Sequence, residues 1–570
     1  MTRIDAARTT TKVWISAIVV LVVAVYARVT ILAARLATPT VSDEIYWLLN
    51  GQVLLGRDET PPIHGRFFYP IGYGVVTAAA DVLGGSLSRA FHISLVANMV
   101  IAFLLAWCLF VIGRKVFDFS AETSLVAAGI VLLMPGVAAT TTLVWSESLV
   151  QLSFVLVVVV TYQYLTAPNV WRGVAVGTVT GLLPAVHGRF TLLVPLVVIF
   201  LIVSATRQKM PLRSVVVTHV VLVIFFALSR LGNSWLKDTL YPNASNRESG
   251  AIRKITNPSW WDEIFHLVTG HAWYVIASSF GIAAVGVYVI IRYLRSSERW
   301  EQKTTIAFIA VSCTALLATS AIALASASRG DIHIYGRYVD AFAPLLVFLG
   351  IGGLLTIVRP SRVAWIVGAL SIIGIALAHV VLFPADRNPP PGYGRHNVLG
   401  LELIRDITDA RAIWPFAILA FAFTAGVIIV SLASKKIAVF LVALLLAWGT
   451  STALDTVRPG LFAMSDVEIP HVLDDIGDGA VIGFDTRPDD GALYRFSHTF
   501  ARYRYMVHPL QLRHFNQVDN GIPDDINCII GFVDREPEPI DGQPWIFAAS
   551  DELYFRVLWQ RPGTSSCAGS

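Results

Sequence analysis

Residues 124–165 read SLVAAGIVLLMPGVAATTTLVWSESLVQLSFVLVVVVTYQYL. Glu147 is the only Asp, Glu, Lys or Arg in that stretch. Its two apolar halves, 124–144 and 148–165, approach the length a helix needs to cross a hydrocarbon core, roughly 20 residues. Trp145-Ser146-Glu147 between them leaves room only for a tight turn. This is the pattern of two consecutive membrane crossings, and it extends along the chain in both directions.

Eleven further segments have the same character: 13–34, 90–112, 170–186, 190–206, 214–231, 264–291, 304–326, 338–357, 363–383, 412–433 and 437–455. The first is too long and too poorly flanked for a cleaved signal peptide, and it retains Arg28. The expected fold is an all-α polytopic bundle of about thirteen transmembrane helices. Composition agrees: 55% of the 570 residues are hydrophobic, 14% are charged, and mean hydropathy is +0.65. Ordinary soluble domains carry about 25% charged residues, so a soluble globular enzyme, a disordered chain and a coiled coil are excluded. Residues 456–570 differ, with 9 Arg, no Lys and 17 acids, a net charge of −8 against +12 for the first 455 residues. The shift divides the chain into a membrane domain, 1–455, and a small acidic α/β domain, 456–570. No basic stripe interleaves with aromatics, so nucleic acid is not an expected partner.

Orientation follows from the Lys/Arg bias of short loops. With the N-terminus cytoplasmic, the inner loops hold Arg114 and Lys115, Arg172, Arg207 to Arg213, Arg292 to Lys303, Arg359 and Arg362, and Lys435 and Lys436. The thirteen crossings then put the acidic domain outside the plasma membrane. Cys528 and Cys567 in that domain are a candidate disulfide there, while Cys108 and Cys313 lie in apolar runs.

The opposite loops collect the unusual polar residues, which points to a site on the outer face. Ser42-Asp43-Glu44 opens a helix-like run whose acids suit a helix N-terminus; the same pair suits a general base with a supporting carboxylate. Tyr69-Pro70-Ile71-Gly72 reads as a sharp turn, with Arg66 and His64 just before it. Glu147 is either a solvated turn residue or a functional acid, since charge near hydrocarbon is costly. His187-Gly188-Arg189 and Gly336-Arg337-Tyr338 supply arginines that either snorkel to the interface or bind phosphate with a planar fork of donors. Asp331 and His333 are only two ligands and make a poor metal site. Asp262-Glu263 is a rival acidic pair.

In order and sidedness these motifs resemble the GT-C superfamily of polytopic glycosyltransferases, which includes protein O-mannosyltransferases, aminoarabinose transferases and arabinofuranosyltransferases. The resemblance spans about residues 10–380 and rests on Asp43-Glu44, Tyr69-Pro70-x-Gly72, Ser146-Glu147 and Gly336-Arg337-Tyr338. It implies a sugar donor carried on polyprenyl phosphate, a glycan, glycolipid or protein acceptor, and inversion in a single displacement. By the family's pattern Asp43 is the catalytic base, and Glu44 supports it or helps hold a divalent cation, Mg or Mn, the one candidate cofactor. The substrate-binding candidates are Arg337 first, then Arg189 and His187, with Arg66 and Arg28 weaker, Glu147 for sugar hydroxyls, and Tyr69 and Tyr338 from the motifs. Two competitors remain. A transporter or lipid flippase would show interrupted helices at midplane and related halves, and no internal repeat is found. A non-catalytic subunit of an envelope-glycan assembly would have no activity alone. In the tail, 480–484, 526–533 and 554–559 read as strands and 491–505 as a helix.

Overall fold

The computed structural model describes residue 25, residues 42–57, 68–208, 210–242, 244, 250–325, 330–356, 360–380, 397–408 and 413–457, and, in the tail, 481–485, 511–515 and parts of 522–563. The expected first span, 13–34, lies outside the described residues, apart from residue 25, as do Arg28, His64 and Arg66.

Helix α1 (Ser42–Leu54) starts with Asp43 and Glu44 in its first turn, where the helix dipole favours negative charge. Pro70 precedes α2 (Ile71–Gly84), which Gly85 ends in the left-handed conformation. Ser86 accepts the Arg89 N–H to cap α3 (Leu87–Lys115). The stretch that opened the sequence reading is helical but bent. α4 (Ala121–Val131) gives way at Pro135 to α5 (Pro135–Ala138) and a 3₁₀ turn to Thr142, a bend of 70°. Glu147 then starts α6 (Glu147–Thr166). The chain continues through α7 (Val170–Val186), a 3₁₀ turn at Gly188–Leu192, α8 (Leu193–Gln208), α9 (Leu212–Leu240), α10 (Ala251–Thr256), α11 (Trp261–Ser278), α12 (Ile282–Ser296) and α13 (Trp300–Leu324). It ends with α14 (Gly336–Val339), α15 (Ala343–Thr356), α16 (Pro360–Val380), α17 (Glu402–Thr408), α18 (Ile413–Ala433) and α19 (Lys435–Val457).

Among the described residues, seven helices are long and apolar enough to cross a membrane, or up to ten if each bent pair is one span. The protein is therefore a multi-pass membrane protein. Besides the bent segment 124–144, two further expected spans differ from the sequence reading. The segment 264–291 breaks by 106° at residues 279–281, where Phe280 and Gly281 have positive φ, and 338–357 breaks by 76° between Val339 and Ala343. Hydropathy reports what a segment dissolves in and is blind to its dihedrals. α9 also runs past 231 to Leu240, into what reads as loop.

Glycine lets the helices approach closely, as is common between membrane helices. A Cβ on Gly177 would fall 2.6 Å from the Thr218 carbonyl oxygen, where α7 lies on α9. One on Gly286 would fall 2.0 Å from the Leu346 carbonyl oxygen, and one on Gly350 2.1 Å from that of Ile282, where α12 crosses α15. The main apolar core fills the bundle. A separate cluster of Trp47, Tyr73, Phe91 and Trp145 sits beside the start of α6.

Among the described residues of the tail five strands form one sheet, ordered β2-β1-β3-β5-β4: β1 (Val481–Asp485), β2 (Gln511–Phe515), β3 (Cys528–Phe532), β4 (Ile546–Asp551) and β5 (Arg556–Gln560). β1 pairs in parallel with β2 and β3, and β5 runs antiparallel to β3 and β4. The expected helix at 491–505 lies outside the described residues. Cys528 is disulfide-bonded; its expected partner, Cys567, also lies outside them.

Candidate active site

Asp43 and Glu44 are neighbours in sequence, but their side chains have different partners. Glu44 is fully buried, and its Oε1 accepts the Val144 N–H at 2.7 Å. That bond ties the first turn of α1 to the backbone three residues before Glu147. Asp43 lines a cavity of about 810 Å³ and keeps 17% of its side chain accessible. Its Oδ1 accepts the Tyr69 hydroxyl at 2.8 Å, and its Oδ2 accepts Arg337 Nη1 at 2.6 Å. The Tyr69 ring stacks on Tyr46 with centroids 4.5 Å apart, so the hydroxyl is held by a packed ring.

Arg337 stands on α14, the short half of a bent span. A Cβ on Gly336 would lie 2.1 Å from Cζ of Tyr274, so only glycine lets the chain pass that ring. The Arg337 guanidinium donates from Nε and Nη2 to Glu147 Oε1, at 2.9 and 2.6 Å, and from Nη1 to Asp43. Its Cζ lies 4.2 Å from the centroid of the Trp145 ring. All three nitrogens thus serve two carboxylates, and the side chain is 9% exposed.

Arg189 is arranged differently. It follows the end of α7, which contains Pro184 and is capped by His187, whose Nδ1 accepts the Arg189 N–H at 3.3 Å. The guanidinium is fully buried, lies 4.6 Å from the centroid of the Tyr338 ring, and donates from Nη1 to the Arg337 carbonyl at 3.1 Å. Among the described residues Nε and Nη2 have no hydrogen-bond partner, and neither does Oε2 of Glu147. Buried polar atoms are nearly always satisfied, so two nitrogens without a partner on a buried cation at a cavity wall are an exception. His187 packs edge-on against Tyr338, with centroids 5.7 Å apart, and both line the cavity.

The structure thus brings together Asp43, Tyr69, Glu147, His187, Arg189, Arg337 and Tyr338 from five separate stretches of chain. The rival pair is elsewhere: Asp262 is 86% exposed beside His266, and neither Asp262 nor Glu263 lines the cavity. Both Asp43 oxygens face donors, Glu44 Oε1 faces a backbone N–H, and among the described residues no three His, Cys, Asp or Glu side chains converge as metal ligands. Sequence reading missed Arg230, Asn233, Ser234 and Lys237 of α9, which form the far wall. Their i, i+3, i+4, i+7 spacing marks one helix face, and it was hidden by ending the span at 231.

No family model matches the chain, and no curated protein matches it. Among solved structures, ArnT from Cupriavidus metallidurans in the apo state is similar, with a TM-score of 0.56 at 14% identity over 98% of this chain and 100% of that one. The same protein bound to undecaprenyl phosphate gives 0.55 at 14% identity, over 98% and 99%. At this identity the likeness is one of fold, and it agrees with the polytopic helical bundle expected from the sequence.

Proposed function

We propose that the chain is an inverting glycosyltransferase that moves a sugar from a polyprenyl-phosphate donor to a cell-envelope glycan, lipid or protein acceptor at the outer face of the membrane. The observation that carries this reading is the pair of unpartnered N–H groups on buried Arg189, in the cavity that also holds the accessible carboxylate of Asp43. A second support is the fold shared with a protein crystallised with undecaprenyl phosphate.

In this mechanism Asp43 takes the proton from an acceptor hydroxyl. The freed oxygen attacks the anomeric carbon from the face opposite the lipid phosphate. The carbon–oxygen bond to that phosphate breaks, and the bonding pair leaves with the phosphate. Arg189 meets the developing charge through Nε and Nη2, an arrangement worth most when the donors are fixed before reaction. The leading phosphate role is assigned here to Arg189 rather than Arg337, because Nε and Nη2 of Arg189 have no partner among the described residues. Arg337 instead sets the position of Asp43 and shares its charge with Glu147. Oε2 of Glu147 is left to accept a sugar hydroxyl, and His187 and Tyr338 shape the wall. Glu44 acts as a backbone clamp, and no step is routed through a metal.

Asp43→Asn is expected to abolish sugar transfer while polyprenyl-phosphate binding persists; normal turnover would remove Asp43 as the base. Arg189→Gln is expected to weaken binding of a short-chain polyprenyl phosphate by at least about tenfold, since hydrogen bonds to charged groups contribute about 1.5–3 kcal/mol. Unchanged affinity would remove Arg189 from the phosphate site. The three bent spans favour one competitor, a transporter or flippase, because such proteins bind at helix breaks. Transfer of radiolabelled sugar by the purified chain in detergent, without a gradient, separates the two.

A further inference from the structure

The cavity has a second cationic station that the proposed chemistry does not use. Arg230 and Lys237 lie on its α9 wall, seven residues or two turns apart, about 10 Å along the axis. Among the described residues neither has an ion-pair partner. Asn233 between them fixes the wall, accepting the Ile71 N–H at 2.9 Å and donating to the Pro184 carbonyl at 3.1 Å. Side chains this long reach a common phosphate across two turns. Arg230 is exposed and Lys237 half-buried, unlike Arg189 at the closed end. The rim is apolar and open: Leu192 is 45% exposed and, on α10, Ile252 is 79% and Ile255 49% exposed, all three being lining residues. An amphiphile entering here lays its tail on those residues and its headgroup on the cations.

Resting on the donor reading above, we infer that Arg230 and Lys237 form a second anion subsite, which holds the phosphate of a phosphate-bearing lipid acceptor while Arg189 holds that of the donor. The closed end offers one station with orphan donors. The molecule that brings a hydroxyl to Asp43 must therefore approach along the remaining wall, and that wall is cationic at its polar end and apolar at its rim. The subsite selects acceptors whose phosphate lies within reach of α9 when their hydroxyl is at Asp43.

The test uses the full-length chain in neutral detergent with three short-chain probes: phosphatidic acid, phosphatidylcholine and a polyprenyl phosphate, with stoichiometry read by native mass spectrometry. The wild type is expected to hold one phosphatidic acid and one polyprenyl phosphate at once. Arg230→Gln/Lys237→Gln is expected to lose phosphatidic-acid affinity by about tenfold for each cation removed, to leave the weaker phosphatidylcholine binding unmoved, and to keep polyprenyl phosphate. Arg189→Gln should give the reverse. Unchanged phosphatidic-acid affinity in the double variant overturns the subsite. So does one-for-one competition between the two phosphates, because it means a single station. If the wild type does not hold polyprenyl phosphate but phosphatidic acid still depends on Arg230 and Lys237, the donor reading falls and the subsite stands.

Discussion

Arg337 illustrates how much one side chain carries here. It is the counter-charge of both Asp43 and Glu147 in a nearly dry site. Removing one member of a buried ion cluster leaves the others uncompensated, at roughly 3–5 kcal/mol. Arg337→Gln is therefore expected to lower the thermal midpoint of the purified protein sharply. Arg337→Gln/Glu147→Gln should recover part of that loss, since it strands one carboxylate fewer; no recovery would mean that the Glu147 contact is incidental. Motif order already picked out Asp43, Glu147, Arg189 and Arg337. It put Arg337 ahead of Arg189, the order that the proposed chemistry reverses, because a residue type in a sequence does not reveal which nitrogens are already engaged. It also paired Asp43 with Glu44, whereas one faces a cavity and the other a backbone N–H.

The elements that build the site are the broken ones. Irregular backbone at membrane depth is tolerated where protein or a cavity surrounds it. The bend after α4 leads through Val144 to Glu147, and the bend between Val339 and Ala343 leaves Arg337 on a helix of four residues. A straight helix would carry each group on along its axis instead of turning it toward Asp43. Close crossings hold these pieces in register. Gly286→Ala or Gly350→Ala would push α12 and α15 apart against backbone oxygens, and overpacking of this kind costs about 1–3 kcal/mol. Both variants should melt earlier in detergent while a control, Gly368→Ala, where a Cβ meets open space, does not. Equal melting of all three would mean that the crossing tolerates separation.

At the scale of the molecule, orientation is the quantity on which the donor chemistry depends, because the proposal puts Asp43 on the outer side. Cys108 and Cys313 are buried, which leaves a low background for labelling. Asp238→Cys, exposed at the cavity end of α9, should react with a membrane-impermeant maleimide in intact cells. Glu298→Cys, exposed beyond α12, should react only after permeabilisation. The opposite pattern would place the cavity in the cytoplasm and sink the outer-face reaction. The sequence by itself determined the membrane class, the positions of most helices and the residue types gathered toward one side, because solubility in hydrocarbon is a sum over neighbouring side chains. Only the tertiary structure decided where the spans bend, that Arg337 is neutralised while two Arg189 nitrogens have no partner among the described residues, and that α9 lines the cavity with two cations. Those outcomes depend on which distant groups come within 3 Å of each other, and no local sum contains that distance.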